Sequence, residues 1–164
     1  YIDKKVKKSL LDEMLSEANL APSWKNSQTP RFYVATGEKS KNAVREALPE
    51  FNRKNSENAS AYIVTTVVLN RSGFDKDGTA VTEIGNGWGY YDLGLNNMAL
   101  LLKATELGIS TLVMGIRDGE KLRKEFDIPK TEAVVSVIAV GYTDSEIVRP
   151  KRKSVEDFAK FYED

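Results

Sequence analysis

The 164-residue sequence has no cysteine and no histidine. Without them, disulfides, thiol nucleophiles and Cys/His metal sites are excluded, and no metal is expected. The side chain that most often moves protons near neutral pH is also missing. An enzyme built from this chain must draw its chemistry from carboxylates, Lys, Tyr or Ser, or from a bound cofactor. No apolar run reaches the roughly 18 residues of a transmembrane helix, so no membrane partner is expected. The start, YIDKKVKKSLLDEM, lacks the apolar core of a signal peptide. It also lacks an initiator Met, and a longer chain is expected. Neither sign of charge is in excess, with 24 Lys plus Arg against 24 Asp plus Glu. General attraction to nucleic acid or a membrane surface is therefore not expected. The absence of cysteine suits a cytoplasmic or anaerobic setting. G-x-G-x-x-G, P-loop and G-x-S-x-G motifs are absent, which weighs against dinucleotide-binding Rossmann and P-loop folds. Asp75 and Asp77 in DKDG lack the downstream ligands of a calcium loop.

What is present suffices for one domain with a proper core, since 41% of residues are hydrophobic. Leu10, Leu11, Met14, Leu15 and Ala18 are helically spaced, and Pro22 ends that helix. Arg31 to Thr36 reads as a strand, and Glu38 to Leu48 as a charged helix. Phe51 to Ser60 reads as a loop or irregular helix. AYIVTTVVLN, from Ala61 to Asn70, reads as a strand buried on both faces. Arg71 to Gly89 is a long Gly-rich excursion. Asp92 is expected to cap the next helix, with Leu95, Met98, Ala99, Leu101 and Leu102 toward the core and Gly108 closing it. Thr111 to Met114 is a short strand, Gly115 to Gly119 a turn, and Glu120 to Phe126 a short helix. Ala133 to Val140 is another buried strand, and Ser154 caps a last helix through Tyr162. This order predicts an α/β or α+β sandwich on about four strands.

Three stretches could carry chemistry. Ser23, Asn26, Ser27 and Gln28 in APSWKNSQTP offer hydroxyls and amides that donate and accept together. That set matches the edge of a flat heterocycle, or serves as a hydrophilic connection. LVMGIRDGEKL sets a turn between strand and helix, where N–H groups can meet an acceptor, or where Asp118 simply caps. RPKRK clamps a phosphate or is solvated.

In order, LAPSWKNSQTPRFYV, DLGLNNMALLLKATELGISTLVMGIRDGEKLRKEFDIP and VIAVGY with RPKRKSVEDF resemble the nitroreductase family of flavin enzymes. The resemblance covers about Val6 to Phe158. It implies an α+β fold, a three-layer sandwich with a small central sheet flanked by helices, in an intertwined homodimer. The whole chain, 1–164, would be a single FMN-binding domain. FMN would lie at the dimer interface, with NADH or NADPH as electron donor and a small-molecule electron acceptor as partner. By position, Ser23, Asn26 and Gln28 would bind the flavin or its ribityl chain. Met114, Gly115 and Ile116 would lie near its reactive nitrogen, and Arg152 with Lys151 or Lys153 would hold its phosphate. The flavin would carry the hydride chemistry, leaving no catalytic side chain. Trp88, Tyr90 and Tyr91 would cover the flavin face or stack on substrate, or else pack the dimer interface; Trp24 shares that ambiguity. The family's R-R-S-x-R segment belongs just before Tyr1, and the sequence is expected to begin downstream of it. A chain that truly lacked it would bind FMN weakly. Nitroarenes, quinones and related acceptors are the expected oxidants. Reductive dehalogenation, flavin breakdown, FMN storage without turnover and a flavin-free helical dimer are the alternatives.

Overall fold

Strand β2 (Ala61–Val68) is buried along almost its whole length, because both faces of the sheet are covered. Tyr62 and Val64 enter one core with Ala35, Val44, Leu48, Met114, Leu122, Val137 and Ala139. Ala61 and Ile63 enter the other, with Leu11, Met14, Ala18, Leu100, Ala104, Ile138 and Val140. The alternation is the two-residue period of a strand. The computed structural model describes residues 1–163; Asp164, the last residue of the expected domain, lies outside them.

The elements run α1 (Lys8–Leu20), β1 (Pro30–Ala35), α2 (Glu38–Glu46), α3 (Glu50–Asn55), β2, α4 (Gly87–Glu106), β3 (Ser110–Met114), α5 (Gly119–Glu125), β4 (Glu132–Gly141) and α6 (Val155–Phe158). The sheet is antiparallel, in the order β1-β2-β4-β3. Helices α1 and α4 supply one outer layer; α2 and α5 supply the other. This is the α+β sandwich on a small central sheet. Strands β1 and β3 are its two edges, separated by β2 and β4. Of the stretch from Phe51 to Ser60, the part up to Asn55 is helical, in α3, and the rest is turn and loop. The last helix stops at Phe158 instead of reaching Tyr162; Asp157 accepts the Ser154 N–H at 3.0 Å and so begins it.

Helix α4 corrects two expectations. It begins at Gly87, so Asp92 lies inside it as a buried side chain and is no cap. Its buried face is Gly89, Leu93, Asn96, Leu100 and Ala104. The expected core residues Met98 and Leu102 are 52% and 59% exposed, and Leu95, Ala99 and Leu101 are half-buried. The helix carries apolar residues nearly all round, so periodicity fits two stripes equally well. Close approach to the sheet selects the face with glycine: a Cβ at Gly89 would meet Val67 Cγ2 at 2.8 Å. The stripe left outside is Tyr91, Met98 and Leu102, with the half-buried Leu95 beside them.

Candidate functional site

The polar loop leaves α1 at Pro22 and bends through a short 3₁₀ turn at Trp24–Asn26. Lys25, Asn26 and Gln28 adopt φ of 46°, 54° and 48°. Side chains other than glycine rarely hold this region, and it costs on the order of 1 kcal/mol or more per residue. The surrounding bonds must therefore over-determine it. Ser23 Oγ accepts the Gln28 N–H at 2.9 Å. Both oxygens of Asp92 lie 3.1 Å from the Trp24 N–H. The Asp92 carboxylate also accepts the Ser72 hydroxyl, which meets Ser27 Oγ at 3.1 Å. Asp92 is 2% exposed. A helix interior thus holds two loops in place through one buried acid. Ser72 is held in turn by a tight bend. Gly73 sits at φ 84°, and a Cβ there would meet Trp88 Cδ1 at 2.6 Å.

The braced loop lines a cleft of about 590 Å³, within the size range of small-molecule sites. Ser23, Asn26 and Gln28 are brought together there, with Asn96, Arg31 and Arg71. The Asn26 and Gln28 side chains are exposed and make no hydrogen bond within the described residues. Trp24 Nε1 is buried without a partner among the described residues. Trp24 packs against Trp88 with centroids 4.7 Å apart and planes tilted by 48°, and Trp88 meets Tyr91 edge-on at 5.8 Å. Trp88 also donates to Thr82 Oγ1 at 2.7 Å, so it is committed to packing within the chain. Tyr90 and Tyr91 remain exposed.

Met114, Gly115 and Ile116 lie elsewhere. They end edge strand β3, while the loop enters edge strand β1, with two strands between. Three inter-strand steps span about 14 Å. Met114 is in the core and Ile116 is exposed. No bond among the described residues takes the N–H of Gly115 or Ile116. Asn52, buried on α3, donates to the Ile116 carbonyl at 3.2 Å and steadies this turn. Asp118 caps α5 by accepting the Lys121 N–H at 3.0 Å. Lys151 and Arg152 are exposed on the segment after β4; among the described residues, Arg152 bonds only the Pro150 carbonyl, at 3.3 Å. One chain therefore gathers the amide loop and leaves the turn and the basic pair apart from it.

Sequence reading missed Asp92, Asn52, Arg31 and Arg71. The one available signal was for Asp92: it shares a helical face with Gly89 and Asn96, small or polar residues where an apolar stripe was sought.

Fold and cleft define an α+β domain presenting amides and hydroxyls at one end of an antiparallel sheet. Residues 1–142 match the model of the Nitroreductase family, and the chain belongs to that family. A nitroreductase family protein from Streptococcus pneumoniae has a TM-score of 0.84 at 21% identity, over 99% of this chain and 93% of that one. An enone reductase of gut-bacterial fatty acid saturation metabolism gives 0.83 at 21%, over 97% and 89%. An oxidoreductase containing FMN gives 0.73 at 23%, over 87% and 70%. These likenesses are of fold. No curated protein matches the chain. Among the described residues, no helix is long and apolar enough to cross a membrane.

Proposed function

We propose that the protein is an FMN-dependent NAD(P)H oxidoreductase that reduces a small organic acceptor such as a nitroarene or quinone. The observation that carries this is the loop from Ser23 to Gln28, held in a strained shape with its amides unpaired over a cleft. The residues present fit FMN. Asn26 and Gln28 donate and accept along one edge, as the alternating N–H and C=O groups of a flavin ring require. Trp24 Nε1 is a further donor without a partner. The free N–H groups of Gly115 and Ile116 suit an acceptor on the ring, and Lys151 and Arg152 suit the phosphate. Bound FMN supplies reversible hydride chemistry that this His- and Cys-free chain does not. The chain's residues would orient the ring; the exposed Tyr90 and Tyr91 are left to cover its face, while Trp88 packs within the chain. For a nitroarene the balance is ArNO₂ + NAD(P)H + H⁺ → ArNO + NAD(P)⁺ + H₂O. The proton would come from water, since no acid among the described residues lines the cleft. The fold shared with an FMN-containing oxidoreductase and an enone reductase supports the reading.

The reading includes an intertwined homodimer. The two halves of the site stand on opposite edge strands, so the loop of one subunit and the turn of its partner would complete one site. The exposed stripe on α4 supplies an apolar face. So does the segment after β4, where Ile147, Val148, Phe158, Phe161 and Tyr162 are all exposed.

The test is an absorbance spectrum of the purified full-length protein. Flavin bands that bleach anaerobically with NADH or NADPH and return on adding a quinone are expected. FMN uptake with no nicotinamide oxidation would point to storage. A colourless protein that takes up no added FMN would overturn the proposal.

A further inference from the structure

We infer that the acceptor is anionic, a small aryl or alkyl carboxylate or its phosphate or sulfonate equivalent, bound through Arg31 and Arg71. The inference rests on the flavin reading above and names the substrate class of that site. Among the described residues, the cleft holding Ser23, Asn26 and Gln28 is lined by two arginines and no carboxylate, in a chain whose charges balance overall. Neither arginine forms an ion pair among the described residues. Arg31 is splinted by its own backbone: Nη1 donates to the Gln28 and Pro30 carbonyls at 2.7 and 2.8 Å. Its guanidinium is fixed before any ligand arrives, with Nη2 and Nε left to donate, so less side-chain freedom is lost on binding. Arg71 makes no hydrogen bond within the described residues and precedes Ser72, which Asp92 holds.

The acids on adjoining segments do not neutralise the pair. Asp92 is buried and saturated by Trp24 and Ser72. Asp75 lies 3.5 Å from Lys25. Leu15, Ala21 and Phe32 give the same cleft an apolar wall. An apolar body with an anionic end satisfies both parts. The phosphate of FMN has a separate candidate anchor in Lys151 and Arg152, which leaves these two guanidiniums for a second ligand.

The probes are 4-nitrobenzoate and its neutral isostere 4-nitrobenzamide. Their binding to the oxidised, FMN-loaded full-length protein is measured by calorimetry without electron donor. Turnover of both is then measured with NADH. A charge contact at a solvated site is worth only a few-fold, so the pair together should favour the carboxylate roughly tenfold. Arg31→Gln with Arg71→Gln should abolish that preference, in binding and in the ratio of kcat/KM values. Arg71→Gln alone should remove part of it; this variant breaks no bond among the described residues, so loop loosening does not explain its effect. Added salt should shrink the preference.

Equal binding of the two probes, or a preference that survives the double variant, overturns the inference. So does a double variant that weakens FMN but not riboflavin, because the arginines then hold the cofactor phosphate. So does a change confined to NADPH over NADH in flavin reduction, which assigns them to the donor. Arginine-dependent binding of nitrobenzoate without turnover would uphold the anion site and sink the oxidoreductase reading instead.

Discussion

Replacing Asp92 with alanine takes the acceptor from the Trp24 N–H and the Ser72 hydroxyl at once. Each buried partner left unmatched costs about 1–3 kcal/mol, and the left-handed residues Lys25, Asn26 and Gln28 lose what holds them. Asp92→Ala should lower the melting temperature. It should also weaken FMN and riboflavin alike, since it touches no phosphate contact. Unchanged flavin affinity in a folded variant would show that the acid serves stability only. Asn26→Ala deletes one amide over the cleft and should cost about 1–3 kcal/mol of FMN affinity if its ring partner stays buried and unpaired. Titration of FMN fluorescence checks this, and an unaltered dissociation constant would remove Asn26 from the site. Asn26 was legible in the sequence because its amide advertises hydrogen bonding wherever it lies. Asp92 was not, because its burial depends on donors 20 and 68 residues away. Beside a Gly-rich stretch, an aspartate simply resembles a helix cap.

The same division holds for elements. Strands β2 and β4 were plain as unbroken apolar runs, because a strand covered on both faces needs little else. The orientation of α4 was not plain, since two stripes of one apolar helix share the same period. Only the close packing at Gly89 chooses between them. The stripe that faces out gives an element-level prediction. Leu102→Glu should convert a dimer to a folded monomer in light scattering. A core residue would instead unfold the chain when charged. Strand β1 gives another. Burial, and then the bond from its hydroxyl to the Glu132 carboxylate at 2.9 Å, push the Tyr33 phenol from its ordinary value near 10 up to about 12. Arg31 and Arg123 oppose this weakly. The fold therefore favours the neutral phenol. Its contribution is complete below about pH 10 and is lost as pH rises toward 12. Tyr33→Phe should flatten the alkaline fall in the denaturation midpoint over that window. Burial raises Tyr1 and Tyr62 as well, so part of the fall remains. An unchanged profile would show that Tyr33 does not couple to folding.

At the scale of the molecule, sequence gave the order of elements and the family, while sheet order had to come from the structure. Pairing of β2 with β4, across two intervening helices and a strand, is a tertiary choice that no local pattern records. That order has a genetic consequence. With β1 and β3 at opposite edges, a flavin site completed across two subunits has one contribution from each chain. Asn26→Ala damages the first contribution; Gly115→Pro removes an N–H from the second. Each variant should be impaired as a pure dimer when FMN is sub-saturating. Co-expressed in equal amounts, they should form hybrids in which one site collects both lesions and its twin collects none. About a quarter of all sites would then be whole if subunits pair at random. Two impaired alleles should complement each other, whereas a site built within one chain would show no such complementation.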